Sequence, residues 1–327
     1  MVEFFGVFKW FALLVFIGIG GCSSISLESA KSLSAAGESF AVQAKSAVFV
    51  SEYEYQLARD SEALMHGYSN TATDGQYNEI LSLSDKLKEE LSKRAAVLDK
   101  LGEVYSAFGS LAAISTTGDT ESAIDTLGAS INEYAIARGQ KPPVEASVAG
   151  VISKVGGATA GEIQKRRVKE GSAEIRFRLI AFKGLLSDTL VASQMIGYKS
   201  YVNSSYGAAV RQLWDSGLYD PAPLLNDFGA ASGMTAQKDA LKTINSSPQL
   251  QGAFREFLLK RQEQKLSLVE ESYYATISTL TKLIGEHEKL EKGDELNLAR
   301  IREMTARLEE IISIISDAKA KAKAGNS

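Results

Sequence analysis

Chemistry needs particular side chains at particular spacings, and in this chain of 327 residues few qualify. There are two histidines, His66 and His287, and one cysteine, Cys22. A di-iron carboxylate bundle uses Glu-x-x-His motifs on its helices. Ala63 and Ile284 stand three positions before the two histidines instead, so no metal or other cofactor is expected. His287 falls on the apolar stripe of a helical segment and reads as a half-buried packing residue. Three carboxylates, Asp215, Asp220 and Asp227, lie in or beside an irregular stretch, 216–233. A general acid/base pair would need two of them held at a defined separation. Nothing in their spacing shows that, and turn formation is the stronger default for such aspartates. Lys165, Arg166, Arg167 and Lys169 open the most basic patch of the chain, continued by Arg176, Arg178 and Lys183 and offset by Glu170 and Glu174. Such a patch can touch an anionic lipid headgroup or a cell-wall polymer. More often it pairs with acidic neighbours or faces water.

The lone cysteine has a distinctive setting. Trp10 to Ile19 is an apolar run, followed by Gly20, Gly21, Cys22, Ser23 and Ser24. A secretory signal carries an apolar segment of ~7–15 residues before a small-residue cleavage site. The run is too short to span a bilayer, which takes ~20 apolar residues. Ile19-Gly20-Gly21-Cys22 resembles the lipobox of bacterial lipoproteins: an aliphatic residue, two small residues, then cysteine. Ile19 stands where that family prefers leucine, and Glu3 offsets Lys9 in the leading segment. The resemblance covers about the first two dozen residues. It implies cleavage between Gly21 and Cys22, diacylglyceryl transfer to the Cys22 thiol and acylation of the new amino terminus. Several acyl chains anchor stably where one is marginal. Ser23 is not the aspartate that retains many such proteins at the inner membrane, which favours the outer membrane in a host that has one. With Cys22 lipidated, the mature body has no thiol left for disulfides, catalysis or zinc.

About 306 residues would remain after such cleavage, enough for one large domain or two small ones. Hydrophobic residues at 45% and charged residues at 23% describe a globular rather than a disordered body. A net charge of −4 carries no global signature for nucleic acid, and none is expected as a partner.

The five prolines, at 142, 143, 221, 223 and 248, leave long blocks free for helices. The expected organisation is a signal over 1–21, a lipidated cysteine and tether over 22–38, and a helical domain over 39–327. The Ser-, Ala- and Gly-rich stretch 23–38 suits a tether, or else the first helix starts early. A helix over 39–66 has Phe40, Ala44, Ala47, Val50, Leu57 and Leu64 on one face. A second over 76–114 repeats apolar residues at three- and four-residue steps from Ile80 to Ala112, with Arg94 the one polar member of the series. The run Lys86, Lys88, Glu89, Glu90, Lys93 and Arg94 reads as its solvated face. A third covers 120–138, with Ile124, Leu127, Ile131 and Tyr134 inward. Residues 139–143 form the clearest break. Beyond it, 144–162 is rich in Gly, Ala and Val and holds a G-x-x-x-G at Gly157–Gly161, which reads as tight packing or a turn, or as a membrane-insertable hairpin.

One strongly apolar helix is expected over 172–202, central in the bundle because Ile175, Leu179, Phe182, Leu186 and Leu190 are widened by Ile180, Leu185, Val191 and Ile196. Short helices follow over 205–215 and 234–246, and a long one over 249–289. The last, 294–323, steps through Leu298, Ile301, Thr305, Leu308, Ile312 and Ile315 at coiled-coil spacing, too briefly to establish a coiled coil. The fold expectation is therefore all-α: an elongated bundle of about six to eight long amphipathic helices, partly coiled-coil-like.

Three functions fit these readings. The foremost is a non-catalytic envelope lipoprotein, held to the membrane through Cys22, whose helical body binds another envelope protein or a cell-wall polymer. The second is a helical membrane-active, pore-forming-like protein inserting 144–162. The third is a glycan-acting enzyme using Asp215, Asp220 and Asp227. The oligomeric state is open.

Overall fold

The computed structural model describes residues 25–69, 74–113, 118–145, 159–218 and 247–324. Among these, seven α-helices and no strands are present: α1 (Leu27–Ser69), α2 (Asp74–Ala113), α3 (Gly118–Ala137), α4 (Ala160–Ser187), α5 (Thr189–Asp215), α6 (Pro248–Lys292) and α7 (Ala299–Ala324). The chain is an all-α multi-helix bundle. Its longest helix, the 45 residues of α6, extends about 67 Å at 1.5 Å per residue.

The directions follow from the cross-helix bonds. Lys45 pairs with Asp99, and Ser34 donates to the Tyr105 carbonyl, so α1 and α2 are antiparallel. Lys93 pairs with Glu133, and Thr120 donates to the Ala107 carbonyl, making α2 and α3 a second antiparallel hairpin. Partners on α6 descend as α4 and α5 ascend: Ser172 with His287, Leu186 with Tyr273, Lys199 with Glu270, Asp215 with Arg255. α4 and α5 therefore run the same way along α6. α7 returns along α6, where Arg307 pairs with Glu271.

Of the two readings of 23–38, the early start of the first helix holds from Leu27 onward, and the tether over 22–38 is corrected there. Ile25, Ala30, Leu33 and Ala36 are core residues, so this stretch belongs to the bundle. Its Ser/Ala/Gly richness serves close packing. A Cβ on Gly37 would lie 2.3 Å from the Tyr105 ring, and one on Gly109 would lie 2.5 Å from Ser34 Oγ. Small residues let the two backbones approach until the Tyr105 ring fills the groove that Gly37 leaves.

The far half of α1 is corrected in phase. Ala47, Ser51, Glu54, Ala58 and Ser61 are buried, whereas Leu64 is exposed and Val50 and Leu57 are half-buried. Tyr198 of α5 explains the choice: its hydroxyl donates to the Ser51 carbonyl, and its ring stacks beside Tyr55. Bulky tyrosines from the partner helix need a small-residue seam opposite them.

The expected single helix over 172–202 is two helices, broken at Asp188, where ψ is 136°. α5 then runs without interruption through 205–215. The α4 face of Ile175, Leu179, Phe182, Leu185 and Leu186 is buried as expected, but Ile180 and Phe177 are exposed, so α4 is amphipathic rather than central. Side chains 189–196 lie outside the described residues. In α7, Ile311 is buried while Ile312 is half-buried and Ile314 exposed. The drift is that of an ordinary 3.6-residue helix away from a strict seven-residue repeat.

Turns and caps close the elements. Gly139 (φ 72°) ends α3, and Asn132 then holds the returning chain by donating to the Val144 carbonyl at 2.8 Å and accepting from its N–H at 3.1 Å. Thr159 and Glu162 form a reciprocal capping box at the start of α4. Gly161 thus lies in an exposed first helical turn, while Gly157 and the rest of 146–158 are outside the described residues. Ser247 caps α6 ahead of Pro248, and Gly293 (φ 77°) ends it.

Candidate functional site

Cys22 and Gly21, the lipidation and cleavage residues of the sequence reading, lie outside the described residues, as do Asp220 and Asp227. Asp215 is exposed at the end of α5 and lies 3.5 Å from Arg255. The basic patch is split by the fold. Arg166 pairs with Glu170 at 3.1 Å along α4, and Arg166 and Lys169 are exposed, with Lys165 and Arg167 half-buried. Arg176 turns to α6 and donates to both oxygens of Glu291 at 2.8 and 3.0 Å. Arg178 is buried, 3.5 Å from Glu174. The first turns of α4 keep a basic outer edge; of the later arginines, Arg178 is internal and Arg176 half-buried.

Two buried polar networks are the chemically distinctive places. The first centres on His287, which is fully buried rather than half-buried. Its Nδ1 lies 2.8 Å from Ser172 Oγ on α4, and its Nε2 lies 3.1 Å from Tyr105 Oη on α2. The Phe108 ring is 5.8 Å away. Burial first, and the charge of Arg176 second, lower the His287 pKa to about 3. Burial likewise pushes the Tyr105 hydroxyl well above its ordinary range. A serine beside a histidine has the parts of an activated nucleophile. Here both groups are sealed beneath three helices, with no face turned to a substrate. The neutral imidazole ties α2, α4 and α6 together.

The second network lies at the break between α4 and α5. A helix end leaves carbonyls without intrahelical partners. Side chains supply partners here: Arg138 Nη1 donates to the Leu185 carbonyl and the Tyr273 hydroxyl to the Leu186 carbonyl. Gln140 Nε2 donates to Asp188 Oδ2 at 2.6 Å. Behind them, Glu90 Oε1 lies 3.3 Å from Arg138 Nε and 3.8 Å from Arg94 Nη2. The Arg94 guanidinium carbon is 6.0 Å from the Tyr134 ring centroid and 5.7 Å from that of Tyr273; that of Arg138 is 5.8 Å from Tyr134. The solvated-face reading of 86–94 holds for Lys86, Lys88 and Glu89, which are exposed, and is corrected at Glu90 and Arg94, which are buried. Arg94 falls on the apolar rhythm of Leu91, Leu98 and Leu101, which is the signal of its burial. Glu90 is one helical turn before it, and Ser187-Asp188-Thr189, a cluster of helix-capping residue types, marks the break.

Another buried carboxylate, Glu54, accepts from Gln262 Nε2 at 2.7 Å and lies 4.0 Å from Lys265 Nζ. Among the described residues no three His, Cys, Asp or Glu side chains gather as a metal site would need, and no helix is long and apolar enough to cross a membrane. No family model matches the chain, and neither a curated protein nor a solved structure does. What the fold defines is a class: a long-helix bundle with buried polar networks as its internal ties.

Proposed function

We propose that this chain is a lipid-anchored envelope lipoprotein whose helical domain is a non-catalytic interaction module. One observation carries the reading: the apolar run ending in Ile19-Gly20-Gly21-Cys22, with Cys22 the only cysteine. Acyl chains on Cys22 hold the body to the membrane, at the outer membrane where the host has one, given Ser23. The body lends support in two ways. Its most catalysis-like pair, Ser172 and His287, is closed to substrate, and its helices are long enough to carry a binding surface well away from an anchor. The partner class is another envelope protein or a cell-wall polymer.

Replacing Cys22 by Ala tests the anchor. The expected result is an uncut precursor, or release of the body from the membrane fraction. Unchanged processing and fractionation of the Ala variant overturns the reading. Crosslinking of the tagged protein in cells, followed by identification of what it captures, tests the interaction role.

A further inference from the structure

We infer that the outer face of α4 docks on the anionic phospholipid surface of the leaflet that holds the anchor. Arg166, Lys169, Ala173, Phe177, Ile180 and Gly184 recur at three- and four-residue steps, which places them along one side of α4. That side lies opposite the buried Val168, Ile175, Leu179, Phe182 and Leu186. Phe177 and Ile180, its bulky members, are exposed, and so are Arg166 and Lys169. Bulky apolar residues ringed by cations are the pattern of a helix that rests in the headgroup region of a membrane.

Charge calls for an anionic occupant. α4 carries seven Lys and Arg against three Glu. Arg166 pairs with Glu170, Arg178 with Glu174 and Arg176 with Glu291 of α6, while Glu162 lies beside Lys165. Lys169 and Lys183 pair with no carboxylate among the described residues. These two lysines bracket the apolar pair, one on either side of Phe177 and Ile180 along the helix.

The fold brings this face to the anchored end. Gln164 donates to the Leu111 and Ala112 carbonyls near the end of α2. Ser34 donates to the Tyr105 carbonyl, so the start of α1 lies at that same end. Leu27 follows Cys22 by five positions, a reach of at most ~18 Å at full extension. The docking thus rests on the anchored reading for the place of the leaflet. A hydrated cell-wall polymer would use the cations and leave Phe177 and Ile180 in water, whereas a bilayer interface takes both.

The test uses the purified full chain in vesicles of phosphatidylethanolamine and phosphatidylglycerol in equal parts, with acyl chains brominated near the headgroup. Phe177→Trp puts an indole at the centre of the face, and Phe49→Trp, on α1 and equally exposed at 49%, is the matched control. The wild type supplies the background of the native tryptophans. Relative to it, Phe177→Trp should show an indole shifted to shorter wavelength and quenched by the brominated lipid, and Phe49→Trp should show neither. Adding Lys169→Gln and Lys183→Gln to Phe177→Trp should shift the docking equilibrium roughly 30-fold toward release, as expected for two cations lost beside an anionic surface. Replacing phosphatidylglycerol by phosphatidylcholine should relieve the quenching too. The indole reports on α4 alone, so quenching that persists with Cys22→Ala supports the docking even where the anchor reading has failed. Absence of quenching for Phe177→Trp in a chain that is cut at Cys22 and bound to the vesicles overturns the docking alone. Equal quenching for the two indoles overturns it as well. So does a Phe177→Trp response that requires envelope proteins or cell-wall fragments in place of anionic lipid.

Discussion

From Leu27 to Val48, α1 packs Ala30, Leu33, Phe40, Ala41 and Ala44 into one continuous apolar core with Leu98, Leu101, Tyr105, Phe108 and Leu111 of α2. From Ser51 to Ser61 the same helix buries Ser51, Glu54, Ala58 and Ser61, and its surroundings are small separate clusters: Ala58 with Val202 and Leu266, and further along Val210 with Trp214 and Leu258. The first region is held by contiguous hydrophobic burial, with a polar tie at His287 at its centre. The second is held by side-chain hydrogen bonds laid across small-residue seams: Tyr198 to the Ser51 carbonyl, Tyr201 to Glu62, Gln262 to Glu54. Apolar burial adds roughly in proportion to area and tolerates no gaps, whereas hydrogen bonds net only ~1 kcal/mol each. The two regions should therefore respond differently to the same kind of damage.

The largest contrast is expected from truncation of large side chains. Phe108→Ala should cost ~3–5 kcal/mol, because Phe108 is fully enclosed against Gly171 and His287. Leu258→Ala, in the small outer cluster and already 9% exposed, should cost no more than the ~2 kcal/mol lower limit for such changes. Urea unfolding of both variants measures the difference, and equal costs would erase the contrast.

Next in size is the acid response of the first region. The native chain holds His287 neutral to about 3, whereas the unfolded chain takes up a proton near 6.5. Below 6.5 the unfolded state alone is protonated at this site, so the contribution of His287 to stability is complete above that value and is lost as pH falls toward 3. The stability gap between wild type and His287→Gln should narrow by roughly 3 kcal/mol from about pH 7 to about pH 4. Denaturant titrations at several pH values check this; a gap independent of pH would show that His287 titrates normally.

Gly37→Ala probes the close approach of α1 and α2. The new methyl would overlap the Tyr105 ring, which is fixed by His287 and so cannot easily give way. A loss of ~1–3 kcal/mol is expected, as for overpacking of a core. Ala at Gly252, which has open space around it, should instead be neutral to stabilising in its helix. The smallest effects belong to single polar ties. Tyr198→Phe should cost ~1 kcal/mol in the second region. Thr159→Ala, which removes one half of the α4 capping box, should cost about the same.

Much of the bundle was legible from spacing. The rows Leu98–Leu101–Tyr105–Phe108 and Ile124–Leu127–Ile131–Tyr134 are buried as their three- and four-residue steps require. The failures share one cause. The Ser-, Ala- and Gly-rich stretch 27–38 carries little hydropathy signal, so it read equally as a tether or an early helix, and the small and polar seam Ser51–Ser61 read out of phase because Val50, Leu57 and Leu64 carry the stronger signal. Hydropathy also takes charge as a sign of exposure, which hid Glu90 and Arg94, although the apolar rhythm around Arg94 pointed inward. Of the candidate site residues, the fold spread the basic patch over an outer edge and the bundle interior.

Local sequence alone determined the helices, most of their ends and the existence of a cysteine motif. Those depend on side-chain periodicity, capping residues and short-range spacing, all written within a few residues of chain. Only the tertiary structure decided which polar groups are buried and what they meet. His287 meets Tyr105 from 182 positions away, and Arg138 meets the Leu185 carbonyl from 47 positions away. Partners at such separations are chosen by how whole helices pack. The cost of burying a charge is therefore settled by the assembled bundle and by no segment of it.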